Sequence, residues 1–350
     1  MRHIARNSAV GHFVVMRSFQ LNQFGIDNLR PTDADLPEAA VGQVLVRFHA
    51  ASLNYRDLMM VNGIYNPKLK MPVVPVSDGA GEVVAVGGDV TKWKAGDRVM
   101  PIFMQGWMDG PIDFSKARTA LGGDLDGCLR EFGVFPAEGL VRIPEHFSYE
   151  EAATLPCAAV TAFNALFESG NAVSGETVLV QGTGGVSVFA TQFAHAIGCR
   201  VIGTSSSDEK LARLGELGAQ HLINYRDRGD WDRAVLELTD RRGVDHVVEV
   251  GGAGTMPKSM NAVRIGGHIA VIGVLSGKGS IDPTMILMKA LRMHGIFVGS
   301  REMFERMVDF IEEHSIKPVI DQVFPFDRAA EAFRSMENQK HFGKIVIRIS

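Results

Sequence analysis

The sequence contains little cysteine, with three such residues in 350. Cys128, Cys157 and Cys199 are far apart and include no Cys-x-x-Cys pair, so they cannot build a complete disulfide framework. A disulfide-stabilised secreted domain is therefore excluded, and the distribution is typical of a reducing compartment. We expect a cytoplasmic protein.

Long apolar runs are absent as well. No window reaches the roughly 18 consecutive apolar residues that a membrane-spanning helix requires. The first 13 residues scatter Arg2, Arg6 and His12 among single apolar residues and lack the apolar core of a secretory signal. We interpret residues 1–12 as a frayed or non-native leader, and the sequence predicts a soluble protein with no membrane partner.

Charge of one sign is not in excess either. Lys and Arg number 36 against 40 Asp and Glu, which gives no broad field for phosphate backbones or anionic lipid. This balance argues against nucleic acid as a main partner. The apolar and charged fractions, 46% and 22%, are those of an ordinary globular chain. Because 350 residues exceed what one hydrophobic core usually serves, we expect two domains.

The pattern along the chain changes near residue 145. Before it, residues 43–50 alternate in polarity and a glycine-punctuated stretch follows, which predicts a twisted antiparallel β domain. After it, short apolar strands alternate with helical stretches, which favours an α/β fold with a doubly wound parallel sheet. The predicted strands of that sheet are 177–181, 200–204, 221–224, 245–250 and 268–272. Two later helices, 301–314 and 327–338, and a closing strand, 344–349, are candidates to return to the first domain.

The strongest local signal is a glycine turn at residues 182–187, with the sequence Gly-Thr-Gly-Gly-Val-Ser. Gly182 permits a tight turn, Gly184 lets the backbone approach a pyrophosphate, and Gly185 and Val186 begin a helix whose N–H groups point at that anion. A plain strand-to-helix turn is the alternative. The preceding strand, the following helix and the next strand form the context that the motif needs, so they favour dinucleotide binding.

The end of the second predicted strand indicates which dinucleotide binds. An NAD site places Asp or Glu there to accept from the ribose hydroxyls, whereas this chain has Ser205. A small hydroxyl can donate to a 2′-phosphate, and Lys210, one helical turn later, can supply the opposite charge. We therefore expect NADP(H). The alternative is that Ser206 and Ser207 only cap the helix while Lys210 is a solvated surface charge.

Six motifs along the chain form a recognisable set, at residues 52–57, 75–81, 90–99, 155–162, 182–186 and 341–346. Through them the chain from residue 13 to the end resembles the medium-chain dehydrogenase/reductase superfamily. The resemblance implies a GroES-like β domain over 13–145 together with 300–350, and a Rossmann domain over 146–299 inserted between these parts. It also implies hydride transfer in the cleft between the domains.

The zinc ligands of related alcohol dehydrogenases are mostly missing. Where those enzymes have Cys, His and Cys, this chain has Asn54, Ser77 and Cys157, and an amide with a hydroxyl cannot replace thiolate and imidazole around Zn²⁺. Asp78 with Cys157 would supply only two ligands, and the structural-zinc region, 101–128, has one cysteine. We expect no metal, and we interpret Cys157 as a small side chain lining the cofactor pocket.

The remaining pattern resembles the quinone oxidoreductase-like and zinc-independent alcohol dehydrogenase branches. That likeness implies catalytic roles for Asn54 and Tyr55 beside the nicotinamide and substrate. The cofactor contacts it implies are Thr161 at the nicotinamide, Tyr225 at the 2′-phosphate, and Gly343 with Lys344 closing over the cofactor. Asn54 could instead serve a turn, Tyr55 could be packing, and Lys344 could be a solvated charge.

Without zinc, hydrogen-bond donors must stabilise the oxygen that gains charge as hydride arrives. Reduction of a quinone or an α,β-unsaturated carbonyl needs less stabilisation of that oxygen than reaction of an isolated ketone or alcohol. We therefore expect NADPH-dependent reduction of such small molecules. An NAD(P)-dependent alcohol dehydrogenase, or a catalytically weak NADPH-binding sensor, are the alternatives. A loop over 103–124, with Trp107 and Met108, is expected to face the pocket. Edge-to-edge pairing through the apolar region 267–275 predicts a homodimer or homotetramer.

Overall fold

The computed structural model describes residues 15–277 and 279–350, so the predicted leader, residues 1–12, lies outside the described residues. The strands are β1 (Val15–Leu21), β2 (Leu29–Asp35), β3 (Gln43–Leu53), β4 (Asp78–Val86), β5 (Arg98–Pro101), β6 (Phe132–Pro136), β7 (Leu140–Arg142), β8 (Thr177–Gln181), β9 (Arg200–Ser205), β10 (His221–Asn224), β11 (Val244–Glu249), β12 (Val263–Val271), β13 (Arg292–Gly295), β14 (Ile320–Pro325) and β15 (Lys344–Arg348). The helices are α1 (Tyr55–Val61), α2 (Phe114–Ala117), α3 (Tyr149–Ala153), α4 (Val160–Phe163), α5 (Gly185–Ala196), α6 (Asp208–Glu216), α7 (Trp231–Leu238), α8 (Met256–Ala262), α9 (Pro283–Met288), α10 (Arg301–Glu313) and α11 (Ala329–Glu337). None of these helices is long and apolar enough to cross a membrane.

A parallel sheet occupies the middle of the chain, in the order β10-β9-β8-β11-β12-β13. The sequence of strand β8 shows that this sheet is buried on both faces. Val178 and Val180 join the core on one side, while Leu179 joins the core on the other, so the strand reads as a continuous apolar run. The order reverses between β8 and β11, which is where a doubly wound sheet binds its ligand. The predicted Rossmann-type fold is confirmed.

Two details of this sheet differ from the prediction. The sheet has a sixth strand, β13, which pairs in parallel with β12. Its sequence, Arg-Met-His-Gly, is short and mostly exposed, so it carries no apolar pattern from which a strand could be predicted. Because β13 covers β12, the apolar region 267–275 is not the edge of the sheet. The edge strand is β13 itself.

The second large sheet has the order β14-β15-β3-β4-β5-β7, with β6 also pairing with β3. The closing strand β15 lies antiparallel to β3, with Ile345 opposite Leu53 and Ile347 opposite Ala51. The predicted return of the last strand to the first part of the chain is therefore observed. Helix α11 packs on this sheet through Ala332 and Phe333, which are fully buried.

Helix α10 packs differently from the other C-terminal elements. Its buried residues Phe304, Met307 and Ile311 belong to the core that covers one face of the parallel sheet. The loop after β5 meets the start of this helix, where the Arg301 N–H donates to the carbonyl of Trp107 at 3.0 Å. Trp107 is 3% exposed and does not line the cavity between the two sheets, so the expectation that it faces the pocket is wrong. Its indole is too apolar to remain solvated once α10 covers the loop.

Candidate functional site

A cavity of about 410 Å³ lies between the two sheets. It opens at the carboxyl ends of β8, β9 and β11 and is closed on the other side by α1 and the segment before β15. The tertiary structure brings together every residue predicted for the site. These residues are Asn54, Tyr55, Thr161, Gly182, Gly184, Gly185, Val186, Ser205, Lys210, Tyr225, Gly343 and Lys344.

The glycine turn forms a cradle at one end of this cavity. Gly182 has a φ of +69°, which favours glycine, and a β carbon at Gly182 or Gly184 would meet no atom within 4 Å. Gly184 caps α5, whose first N–H groups have no acceptor within the helix. Ser187 occupies the position of the third glycine of the motif, and its hydroxyl donates to the carbonyl of Gln181 at 2.7 Å. The turn therefore leaves space and free donors for a pyrophosphate.

Gly185 is required by a different neighbour. A β carbon there would lie 2.6 Å from Cδ of Lys344 and 3.1 Å from Cβ of Ala158. The turn also joins the C-terminal segment through the N–H of Gly343, which donates to the carbonyl of Thr183 at 2.9 Å. The last part of the chain thus closes directly against the predicted pyrophosphate site.

The predicted ribose-phosphate group lies beyond the end of β9. Ser205 is 3% exposed and Tyr225 is 42% exposed, and both line the cavity. Lys210 is not a freely solvated charge, because its Nζ donates to the carbonyls of Gln339 and His341 at 3.2 and 3.0 Å. Burial lowers the pKa of Lys210 from its usual value. This lysine ties α6 to the C-terminal segment and presents its charge at the cavity wall.

The cap of α6 supports part of the alternative interpretation, in which these serines only cap the helix. Ser207 is the N-cap residue, and its hydroxyl oxygen accepts from the N–H of Lys210 at 3.4 Å. Ser205 Oγ in turn accepts from the N–H of Ser207 at 3.4 Å. Capping therefore accounts for Ser207 and leaves Ser205 and Ser206 on the cavity wall.

The two candidate catalytic residues begin α1. Asn54 is 9% exposed, and its side-chain amide is held on two sides: Oδ1 accepts from Lys344 Nζ at 2.6 Å, and Nδ2 donates to Ser77 Oγ at 3.3 Å. Tyr55 is the half-buried next residue and lines the cavity. The amide of Asn54 is therefore fixed in orientation, because an ammonium group can only donate. Tyr55 is the less restrained donor.

A buried ion pair lies behind Asn54. Lys344 Nζ is 3.8 Å from Asp78 Oδ2, and the two side chains are 3% and 0% exposed, so Lys344 is not a solvated strand charge. Burial raises the pKa of Asp78, and Lys344 opposes that rise. Lys344 also donates to the carbonyl of Leu53 at 2.8 Å.

Two of the three positions that correspond to zinc ligands, Ser77 and Cys157, bond to Asp78, and the third, Asn54, bonds to Ser77. Asp78 Oδ1 accepts from Ser77 Oγ at 2.8 Å, and Asp78 Oδ2 accepts from the N–H of Cys157 at 3.1 Å. Burial, followed by the charge of Asp78, raises the pKa of the Cys157 thiol well above its usual value. Within residues 15–277 and 279–350, no three His, Cys, Asp or Glu side chains are grouped as a metal site.

Cys157 and Thr161 reach the cavity from an irregular helix. The segment Leu155–Ala159 between α3 and α4 is a π-helix, and a second π-helical segment, Asn164–Glu168, follows α4. A π-helical turn contains an extra residue, so it rotates the side chains that follow it relative to a regular helix. Thr161 is 3% exposed and lies at the cavity wall beside Cys157.

Several wall residues carry no signal of their own in the sequence. Arg56 lies next to Tyr55 within the motif 52–57, but no pattern singles it out. Tyr65 and Phe297 are single aromatic residues in loops, where no periodicity marks them. Phe103 lines the cavity at the start of the loop over 103–124, which the sequence predicts to face the pocket. Further wall residues include Met59, Leu275, Ile296 and His341.

Known proteins match this chain in both of its parts. Two family models match the chain: the alcohol dehydrogenase GroES-like domain over residues 40–145 and the zinc-binding dehydrogenase over residues 185–313. The chain is 47% identical over 335 residues to a zinc-type alcohol dehydrogenase-like protein of Schizosaccharomyces pombe, covering 93% of this chain and 96% of that protein.

Two further similarities span nearly the whole chain. A quinone oxidoreductase of Mus musculus is 29% identical over 328 residues, which cover 91% of this chain and 93% of its own length. A crystal structure of an NAD-dependent alcohol dehydrogenase superimposes with a TM-score of 0.88 at 33% identity, covering 96% of this chain and 100% of that one.

Proposed function

Because the chain belongs to the medium-chain dehydrogenase/reductase superfamily and is an NAD(P)H-dependent oxidoreductase, we propose that it uses NADPH to reduce quinones or α,β-unsaturated carbonyl compounds without zinc. One observation carries the proposal. A single cavity joins the glycine cradle and the Ser205–Lys210 wall at one end to Asn54, Tyr55 and apolar side chains at the other. The cofactor and the substrate would therefore meet at the first turn of α1.

The residues present fit the dinucleotide. The open space beside Gly182 and Gly184, together with the free N–H groups of α5, suits the pyrophosphate. Ser205, Lys210 and Tyr225 would hold the 2′-phosphate, and no carboxylate stands at the Ser205 position to repel it. This arrangement favours NADP(H) over NAD. NAD is the alternative, because one structural relative is an NAD-dependent alcohol dehydrogenase.

A bound nicotinamide supplies the hydride, so the protein must orient the acceptor and stabilise charge on its oxygen. Tyr55 would donate its hydroxyl to that oxygen. Asn54 would define the adjacent wall, with its amide held by Lys344 and Ser77. Apolar side chains such as Phe103 and Ile296 would exclude water from the reacting centre.

The proposed zinc independence rests on how the ligand positions are used. Asn54 donates to Ser77, and Ser77 donates to Asp78, which also accepts from the backbone N–H of Cys157. The Lys344 ammonium, bonded to Asn54, supplies a positive charge beside this network. A divalent cation there would have to displace that ammonium. Metal analysis of purified protein should find less than stoichiometric zinc, and chelator should leave the unfolding temperature unchanged. One zinc per chain, with activity lost on its removal, would contradict this part.

Turnover is the direct test of the function. Loss of NADPH absorbance should follow addition of naphthoquinone or a conjugated enone, and NADH should be a poorer donor. Binding of NADPH with no turnover across quinones, enones, aldehydes and alcohols would instead favour a binding or sensor protein. Alcohol oxidation is a second candidate, because a structural relative of this chain carries the name NAD-dependent alcohol dehydrogenase. It predicts NADP⁺ reduction by simple alcohols in preference to enone reduction.

We also propose the domain limits of 13–145 with 300–350 and 146–299, a cytoplasmic location, and a homodimer or homotetramer. Strand β13 offers an unpaired edge within the described residues, and Leu287 and Met288 nearby are 78% and 71% exposed. An unpaired edge beside exposed apolar side chains favours pairing with a second copy. Light scattering should give at least twice the chain mass, and a monomer at micromolar concentration would contradict the assembly.

A further inference from the structure

The cationic side chains that line the cavity differ in how they are bonded. Within the described residues they are Arg56, Lys210 and Lys344. Lys210 donates to two backbone carbonyls, and Lys344 donates to Asn54 and lies beside Asp78. These two lysines are accounted for by cofactor binding and by the buried ion pair. Arg56 has no such assignment.

The guanidinium of Arg56 lies at the substrate end, between two aromatic rings. Its Cζ is 4.8 Å from the ring centre of Phe103 and 5.4 Å from that of Tyr65, and its side chain is 11% exposed. Nη1 donates to the carbonyl of Leu121 at 2.9 Å. Nε is buried and has no hydrogen-bond partner among the described residues. Nη1 makes the only hydrogen bond of this side chain among the described residues, so the edge of the guanidinium between Nε and Nη2 has no acceptor there.

Asp57 is not the missing acceptor for Arg56. Its Oδ1 is 3.8 Å from Nη1 of Arg56, which is too far for a hydrogen bond. Both of its oxygens already accept from backbone N–H groups, Oδ2 from Asn54 at 2.8 Å and Oδ1 from Ser77 at 3.2 Å. The carboxylate therefore holds the start of α1 to the start of β4. A buried arginine with an unused edge is costly unless an acceptor arrives with a ligand.

We propose that Arg56 binds a carboxylate of the substrate, so that the preferred substrates are aromatic or apolar conjugated carbonyl compounds that carry an acidic group. The inference rests on the proposed reductase function and names the substrate class of that site. A planar carboxylate matches the guanidinium fork and accepts two parallel hydrogen bonds. The rings of Phe103 and Tyr65 hold that fork in place and provide apolar walls for the rest of the molecule.

A pair of substrates that differ only in the acid tests the inference. The pair is 4-phenylbut-3-en-2-one and the same enone with a para-carboxylate on its ring, each measured with NADPH. Wild-type protein should favour the acid in kcat/KM by about 10- to 100-fold, the range for hydrogen bonds to charged groups. Arg56→Met should abolish this preference, and Arg56→Lys, which keeps the charge but not the fork, should retain part of it. Arg118→Met is the matched control, since Arg118 lies over the ring of Phe114 outside the cavity.

Ligand binding provides a readout that does not depend on turnover. Calorimetry should show that 4-phenylbutanoate binds the wild-type protein more tightly than 4-phenylbutan-1-ol, and that Arg56→Lys narrows the difference without loss of fold by circular dichroism. Equal preference in wild type and both Arg56 variants would overturn the inference while leaving the reductase function intact. Failure of every enone and quinone to react, with acid-selective binding retained, would overturn the reductase function and leave the anion site standing.

Discussion

Replacing Lys344 with methionine tests the buried charge at the centre of the site. Methionine keeps much of the apolar stem but removes the ammonium that lies 3.8 Å from Asp78 Oδ2. Both side chains are almost fully buried, so the variant leaves a buried carboxylate without its cation. Removing one partner of a buried pair typically costs about 3–5 kcal/mol of folding free energy.

Proton uptake by Asp78 limits how much folding free energy the variant can lose through the unpaired charge. Loss of Lys344 raises the pKa of this carboxyl further above 3.8, so the group can become neutral instead of remaining charged. Neutralising a group whose pKa is ordinarily 3.8 costs at most about 4 kcal/mol at pH 7 and about 1.6 kcal/mol at pH 5. A folded-state pKa above the unfolded value means that stability is retained at low pH and lost as the pH rises. The Lys344→Met defect should therefore shrink by up to about 2.7 kcal/mol between pH 7 and pH 5.

Urea unfolding at fixed protein concentration measures this difference. Adding Asp78→Asn to Lys344→Met should restore part of the stability at pH 7 and remove the extra pH dependence. Lys92→Met is the matched control, because Lys92 pairs with Glu305 on the surface, where both side chains are about 40% exposed and the pair contributes little. If the Lys344→Met defect is the same at pH 5 and pH 7, the lysine stabilises the fold by packing and not by charge.

Three further predictions concern the cofactor and the parallel sheet. Lys210→Ala should weaken NADPH binding by about 1.5–3 kcal/mol and leave NADH almost unchanged, and equal losses in the two dissociation constants would mean that Lys210 only supports the fold. Ser205→Asp should reverse or remove the preference for NADPH, which titration with both cofactors measures against the wild type. Burial, with smaller contributions from His246, His294 and Arg292, lowers the pKa of His268 from 6.5 to about 3, so stability present above pH 6.5 is lost as the pH falls toward 3. At pH 5 the wild-type protein should have lost about 2 kcal/mol of folding free energy through protonation of His268 in the unfolded state. The His268→Phe variant should therefore lose less folding free energy than the wild type between pH 8 and pH 5 in urea titrations. Identical losses in the two proteins would refute the lowered pKa of His268.

The sequence by itself determined the elements whose signals are local. The strand β8, the turn at Gly182 and the helix α5 follow one another within 20 residues, so their apolar run, glycine spacing and helical pattern are readable without any distant contact. The absence of an acid at Ser205 is equally local, because β9 ends there. The resemblance then assigned Asn54, Tyr55, Gly343 and Lys344 to the same site, and the fold brings them to one cavity.

Only the tertiary structure decided what surrounds those residues. The sequence leaves open that Lys344 is a solvated charge, and only the fold buries it beside Asp78, which is 266 positions away along the chain. Strand β13 has no apolar alternation and exists because β12 offers it a partner. Trp107 turns into the core because α10 covers its loop, and Arg56 acquires its aromatic neighbours only when α1 meets the loop at Phe103. Burial and charge pairing are set by which distant segments become neighbours, and a one-dimensional pattern does not contain that information.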